Sequence, residues 1–242
     1  MKTHSFWSRY GWIIKYPFLF VRMMWLKFRF RNLPEEAYQE YQNAFYSSNS
    51  RLVSNDTDKF HKIREPIARF AYDFGHNKSV LEVGGGAGFQ TGALVEQGFE
   101  RITSSDLSPE RVAHATRRNT DPRLDFKVAD ASDLPFDDDS YDTLVAVAIL
   151  HSMPNRIKRQ ALAEFIRVTR NTIVIFEPLV LDRRGPLRWF FAKLTWLFDE
   201  SQYIDDFVRD PYDADLEAEG FALVDRQRGF MGVTEIKVYQ RV

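Results

Sequence analysis

Four residues of one stretch, Glu82, Gly84, Gly86 and Gly88, stand two apart, and Asp106, Asp130, His151 and Glu177 follow at wide intervals. Glycines at that spacing let a chain turn sharply and let a ligand reach main-chain atoms with no Cβ in the way. An acid about twenty residues beyond such a turn can accept hydrogen bonds from both hydroxyls of a ribose, and Asp106 lies 22 residues after Gly84. Asp130 is placed to accept from an adenine amino group. His151 is a candidate general base, and Glu177 is a second one. Each residue also has a plainer reading. The glycines suit a tight strand-helix turn without a ligand. Asp106 suits a helix cap, although Ser108 is the better cap and leaves the acid free. Asp130 suits a loop acid, His151 a helix-start or core histidine, and Glu177 a solvated turn acid.

Two common nucleotide loops are excluded. A dinucleotide fingerprint needs a glycine three residues after Gly86, where this chain has Phe89. No Gly-Lys-Ser/Thr follows, so the stretch is not a Walker loop.

The elements that must carry these residues alternate. Val80, Leu81 and Val83 read as a buried strand that runs into the glycines, and a helix starts near Phe89 with Leu94 and Val95 inward. Before it, residues 56–74 read as a helix with Phe60, Ile63, Ile67, Phe70 and Phe74 on its apolar face, ended by Gly75. Strands are expected over 101–105, 124–129, 141–148 and 172–176, and helices over 109–118, with Pro109 in the first turn, and 157–168. A short helix ends at Gly220, and strands over 221–225 and 233–240 close the chain. Strand-helix alternation means a parallel, doubly wound sheet. The four acids and the histidine then fall at carboxyl ends of successive strands, where such sheets bind ligands.

The spacing Glu82-x-Gly84-x-Gly86-x-Gly88 resembles motif I of the class I S-adenosylmethionine (SAM) methyltransferases. Asp106 after the second strand, Ala129-Asp130 with Leu134-Pro135-Phe136 after the third, and Leu150-His151 after the fourth extend the likeness. It is to the small-molecule group that includes ubiquinone and menaquinone methylating enzymes, and it covers residues 56–242. The chain departs at Gly85, where a cysteine or serine is commoner, and at Ser152, where a second histidine is common. The resemblance implies an α/β fold with a doubly wound, mostly parallel, seven-stranded Rossmann-like sheet. It implies methyl transfer from SAM, with S-adenosylhomocysteine as product, by in-line attack on the sulfonium methyl. Gly84, Gly86 and Gly88 would line the methionine and ribose part, and Glu82 would hold the amino end directly or through water. Asp106 would take the ribose, with Leu107 against the adenine. Asp130 and Ala131 would hold the adenine edge, and Ala148 would sit near the sulfonium. No metal is expected. A contrasting reading is a non-catalytic subunit of the same fold that anchors a partner, against which the intact acids at 82, 106 and 130 argue.

Composition places an arm before the domain. Residues 1–31 hold seven Lys/Arg, no acid, and ten of the 36 aromatic residues, while the rest of the chain is acidic. A basic arm on an acidic body argues for an acidic partner of the arm and against nucleic acid gripping the body. Trp7, Tyr10, Ile14, Val21, Trp25 and Phe28 share one helical face free of Lys and Arg, with Pro17 bending the helix. Such a helix suits the interface of an anionic membrane. It equally suits a lid on its own domain or a contact with a partner subunit. No run there approaches the ~20 apolar residues of a spanning helix, and the expected location is the cytoplasm, on a membrane surface under the first reading. Residues 32–242 form the domain. In it, residues 181–210 are an aromatic-rich insertion that, by the resemblance, helps cover the substrate, and so many aromatics suit a flat or greasy small molecule. Leu187, Phe190, Leu194 and Leu197 read rather as a helix packed on the sheet, and Tyr203, with Asp205 and Asp206 beside it, is the candidate for a polar contact. The chain has no cysteine, which excludes disulfides, thiolate catalysis and cysteine-metal sites.

Overall fold

The computed structural model describes residues 38, 61–76, 78–178, 203–228 and 234–242. The basic arm, most of residues 32–55 and residues 181–202 of the insertion lie outside them. Within them the elements run α1 (His61–Phe74), β1 (Ser79–Val83), α2 (Phe89–Gln97), β2 (Arg101–Asp106), α3 (Pro109–Arg118), β3 (Leu124–Val128) and β4 (Tyr141–Val147). A 3-10 turn (Leu150–Ser152), α4 (Asn155–Val168), β5 (Thr169–Pro178), α5 (Ile204–Arg209), α6 (Asp213–Ala218), β6 (Phe221–Arg228) and β7 (Thr234–Arg241) complete the order.

Seven strands form one sheet in the order β3-β2-β1-β4-β5-β7-β6, parallel except for β7, which runs antiparallel to both β5 and β6. The seven-stranded, mostly parallel sheet expected from the sequence is the one observed. β1 and β4 lie at its centre, and every residue of β1 is buried. Successive strand residues point to opposite faces. Leu81, Leu144 and Ile173 accordingly join α4 in one core layer, while Val80, Val145 and Val174 join α1 and α2 in the other. A strand covered on both faces tolerates a continuous apolar run, which is why Thr143-Leu-Val-Ala-Val147 shows no alternation.

From β1 the chain steps outward to β2 and β3, then returns to pair β4 on the other side of β1. Ligands bind at the carboxyl ends of strands where the order reverses in this way. One clamp shapes the loop on that edge. Arg167 of α4 donates to the carbonyls of Leu134 (3.0 Å) and Phe136 (2.7 Å), and Glu164 accepts from the Leu134 amide at 2.7 Å. The passage after Asp130 is therefore held by the last turns of α4.

Candidate cofactor site

The glycine turn is built by its conformations and by what crowds it. Gly84, Gly86 and Gly88 have φ of 77°, 55° and 78°, a region that side chains with a Cβ enter at a cost of roughly 1–2 kcal/mol. The amides of Gly84 and Gly85 both donate to the Ser105 carbonyl, at 2.8 and 2.9 Å. A Cβ at Gly84 would run into the Ile149 side chain. Gly88 answers to packing: a Cβ there would strike Ala115 and Asn119 of the α3 region, and Asn119 donates to its carbonyl at 2.9 Å. At Gly85 a Cβ would meet the Ser104 hydroxyl and the Glu82 carboxylate. That explains a glycine where a cysteine or serine is commoner.

A cavity of about 240 Å³ opens where β1, β2, β3 and β4 end. Six residues expected from the sequence line it: Gly84, Asp106, Leu107, Asp130, Ala131 and Ala148. Asp106 accepts from the Gly86 amide through Oδ2 and from the Ser108 amide through Oδ1, both at 2.9 Å. It thus ties the glycine turn to the tip of β2. Ser108 is the helix cap and accepts from the Arg111 amide at 3.4 Å. Asp130 holds its own turn, accepting from the Ser132 amide (2.9 Å) and hydroxyl (2.7 Å) through one oxygen. Ala148 has φ 55° and donates its amide to the Phe176 carbonyl at 2.7 Å. A non-glycine residue in that region is strained, and such strain gathers at functional sites.

Gly86, Gly88, Glu82, His151, Glu177 and Tyr203 are not among the described lining residues. Glu82 sits behind the turn, 1% exposed. Its Oε2 accepts from the hydroxyls of Thr91 and, at 2.7 Å, Ser104. Its Oε1 is buried without a hydrogen-bond partner among the described residues. Burial pushes this carboxyl above its ordinary range, against the hydroxyls of Thr91 and Ser104 and the charge of Arg64, which pull it down. A carboxyl raised on folding binds a proton more readily in the folded chain, so it lowers stability as pH rises above about 4.5 through the raised value. Glu82→Gln lacks that term. The stability of Glu82→Gln relative to the parent is expected to increase across this window, read by denaturant titration at several pH values. A pH-independent difference would contradict the buried, raised carboxyl.

His151 and Glu177 form a buried pair, with Nδ1 2.6 Å from Oε2. Glu177 Oε1 accepts from the Ile149 and Leu150 amides at 2.9 and 2.7 Å. A carboxylate that takes two N–H donors acts as acceptor toward the ring as well, which assigns the proton to Nδ1. Glu177 is 1% exposed and is no solvated turn acid. The ring of His151 faces Phe207 edge-on, with centroids 6.3 Å apart. Tyr203 is buried in the same core layer, edge-on to Tyr38 at 6.1 Å. It supports another wall residue.

Sequence reasoning missed Tyr38, Arg111, Ile149, Ser152 and Met153, all of which line the cavity. Arg111 had a readable signal, since a residue three after the cap Ser108 lies in the first turn of α3. Tyr38 had none, because its placement depends on a contact across the chain.

Residues 80–172 match the family model described as a methyltransferase domain. Among curated proteins, a phthiotriol/phenolphthiotriol dimycocerosates methyltransferase of Mycobacterium tuberculosis is 39% identical over 97 residues, 38% of this chain and 34% of that protein. A demethylmenaquinone methyltransferase of Clavibacter sepedonicus is 38% identical over 114 residues, 44% of this chain and 45% of that protein. The match therefore spans between a third and a half of these relatives' length. Among solved structures, a magnesium protoporphyrin IX methyltransferase of Synechocystis with bound S-adenosylhomocysteine superposes with a TM-score of 0.64 at 14% identity, covering 86% of this chain and all of that one. A [4+2]-cyclase shares the fold with a TM-score of 0.61 at 16% identity, covering 84% of this chain and 96% of that one. The matched segment makes residues 80–172 similar to a methyltransferase domain, and the strand order gives the chain the fold of the solved methyltransferases.

Proposed function

We propose that the protein transfers the methyl group of SAM to a small, apolar or lipid-linked acceptor and releases S-adenosylhomocysteine. The observation that carries this reading is the convergence of the glycine turn, Asp106, Asp130 and the strained Ala148 on one cavity. The residues fit the cofactor. Gly84 and Gly86 leave a cradle that side chains would fill. The unpartnered Glu82 Oε1 offers an acceptor to an ammonium group, directly or through water. Asp106 has lone pairs for ribose hydroxyls beyond the two amides it holds.

When bound, SAM supplies a methyl group on a sulfonium, ready for in-line displacement. The chain's own work is to orient and to keep water out. Asp106 and Asp130 fix the nucleoside end. Ala148 and Ile149 bring backbone close to the reacting end. Where the acceptor carries a proton, His151, held in one tautomer by Glu177, is the candidate to remove it. The apolar acceptor is supported by the aromatic content of residues 181–210 and by the names of the two curated relatives. Among the described residues no helix is long and apolar enough to cross a membrane, and residues 1–31 are proposed to meet an anionic membrane surface peripherally.

Incubation with methyl-labelled SAM and a membrane lipid extract, on anionic liposomes, tests both parts. Label is expected in the organic phase. The full chain is expected to sediment with anionic liposomes at low salt and less at high salt, since Lys/Arg attraction acts within a Debye length of ~8 Å at physiological ionic strength. SAM binding without any transfer would favour the anchoring subunit. Equal sedimentation of the full chain and a chain starting at Asn32 would assign the arm to a lid or a partner.

A further inference from the structure

Tyr38 stands apart in sequence from every other wall residue, yet it is 7% exposed and belongs to the core layer of Leu150 and Phe207. Two contacts fix it. Its hydroxyl is hydrogen-bonded to Ser152, and its ring stands edge-on to Tyr203, 6.1 Å away at 64°. Ser152 Oγ in turn donates to the Ile149 carbonyl at 2.7 Å. The phenol is thereby tied to the turn that follows Ala148. The charges of Asp106 and Asp130 also act on the phenol. Tyr38 lines the same cavity as the two acids. Burial, the leading cause, and these acids hold the phenol protonated, so it serves as a donor to Ser152.

We infer that Tyr38 is the aromatic wall on which the adenosyl group lies, and that Ser152 and Tyr203 hold its ring in that orientation. This rests on the SAM reading of the cavity. The acids on the tips of β2 and β3 account for the hydroxyls and the amino edge of a nucleoside, and Leu107 offers an apolar surface to one flat face, which leaves the other face to a second wall. A buried ring beside them supplies that wall, and stacking of an aromatic side chain on a base is sequence-tolerant and strong. The pairing also gives a reason for Ser152. A second histidine there would fill the space of the small hydroxyl that accepts from Tyr38.

Calorimetric titration with S-adenosylhomocysteine and with adenosine is the test, on the full chain and on Tyr38→Leu, Tyr38→Phe, Ser152→Ala and the Tyr38→Phe/Ser152→Ala pair. Tyr38→Leu keeps apolar volume in the core while removing the ring, and circular dichroism verifies its fold. It is expected to lose at least about fivefold in affinity for both probes. Tyr38→Phe keeps the ring and is expected to stay within about threefold of the parent. Ser152→Ala should match it, and the double variant should be no weaker than either single one, since all three remove the same bond. A folded Tyr38→Leu that binds both probes as the parent does would overturn the inference. A parent chain that binds neither probe would instead overturn the SAM reading beneath it.

Discussion

Asp106→Ala is expected to weaken binding of SAM and S-adenosylhomocysteine by about 10- to 150-fold. The figure follows from hydrogen bonds to a charged group, worth about 1.5–3 kcal/mol. Two separate losses contribute. One is the proposed acceptor for the ribose hydroxyls. The other is the brace across the mouth of the cavity, since the same carboxylate holds the Gly86 and Ser108 amides at 2.9 Å each. Gly86, with φ 55°, then has no side-chain acceptor fixing its amide. Asp106→Asn separates the two. Its single carbonyl oxygen serves one amide while its NH₂ faces the other donor, so it should fall between the parent and alanine. Asp106 is only part-buried, so water can replace some of the lost bonds in the free protein. The melting temperature should therefore move little compared with the affinity. Calorimetry that finds unchanged affinity in Asp106→Ala would leave this acid as a loop brace and remove it from the ligand.

Much of this arrangement was legible because the rules that set it are local. Ser108-Pro109 marks a cap and a first turn, and α3 runs over Pro109–Arg118 as its sequence reads. The glycine turn announces itself by composition, and the central strands by their apolar runs. Boundaries slipped where tertiary pairing overrode local signals. The strand expected over 172–176 begins at Thr169, because that residue pairs with Tyr141 across a register shift. The site was legible in part for the same reason. Residues at strand tips fall where the topology puts them, so Asp106, Asp130 and Ala148 line the cavity. What a side chain does there depends on partners far along the chain. Glu177 reads as a turn acid until its partners at Ile149, Leu150 and His151 are known. Glu82 reads as a ligand-facing acid, and only the fold shows that Thr91 and Ser104 hold one of its oxygens while the other has no partner among the described residues. Tyr203 reads as a polar contact, and no sequence pattern shows that its ring stands edge-on to Tyr38. The clamp of Arg167 on the loop after Asp130 spans about thirty residues and has no pattern in either segment.

Glu177→Ala should be the more damaging change to the fold. It removes at once the acceptor for two backbone amides and for His151 Nδ1, all on a side chain that is 1% exposed. Each buried donor left unsatisfied costs about 1–3 kcal/mol, and three together are a large share of the ~5–15 kcal/mol that holds a domain folded. The damage should not stay local. Ile149 and Leu150 follow directly on Ala148, whose left-handed conformation shapes the cavity wall. With its two amides released, that turn has lost the anchor that keeps the strain in place. His151→Ala makes the useful contrast. Glu177 then keeps both amides, so the stability cost should be nearer ~1–2 kcal/mol, and SAM affinity should stay within a few-fold. Its effect belongs on turnover, where loss of a general base costs roughly 10²–10⁴-fold for an acceptor that carries a proton. Denaturant titration of the two variants, with binding and turnover on each, separates the roles. A Glu177→Ala chain as stable as the parent would contradict the pinned turn. Full turnover in His151→Ala at every pH would make the pair a purely structural one, with Glu177 retained for the two amides that set the tip of β4.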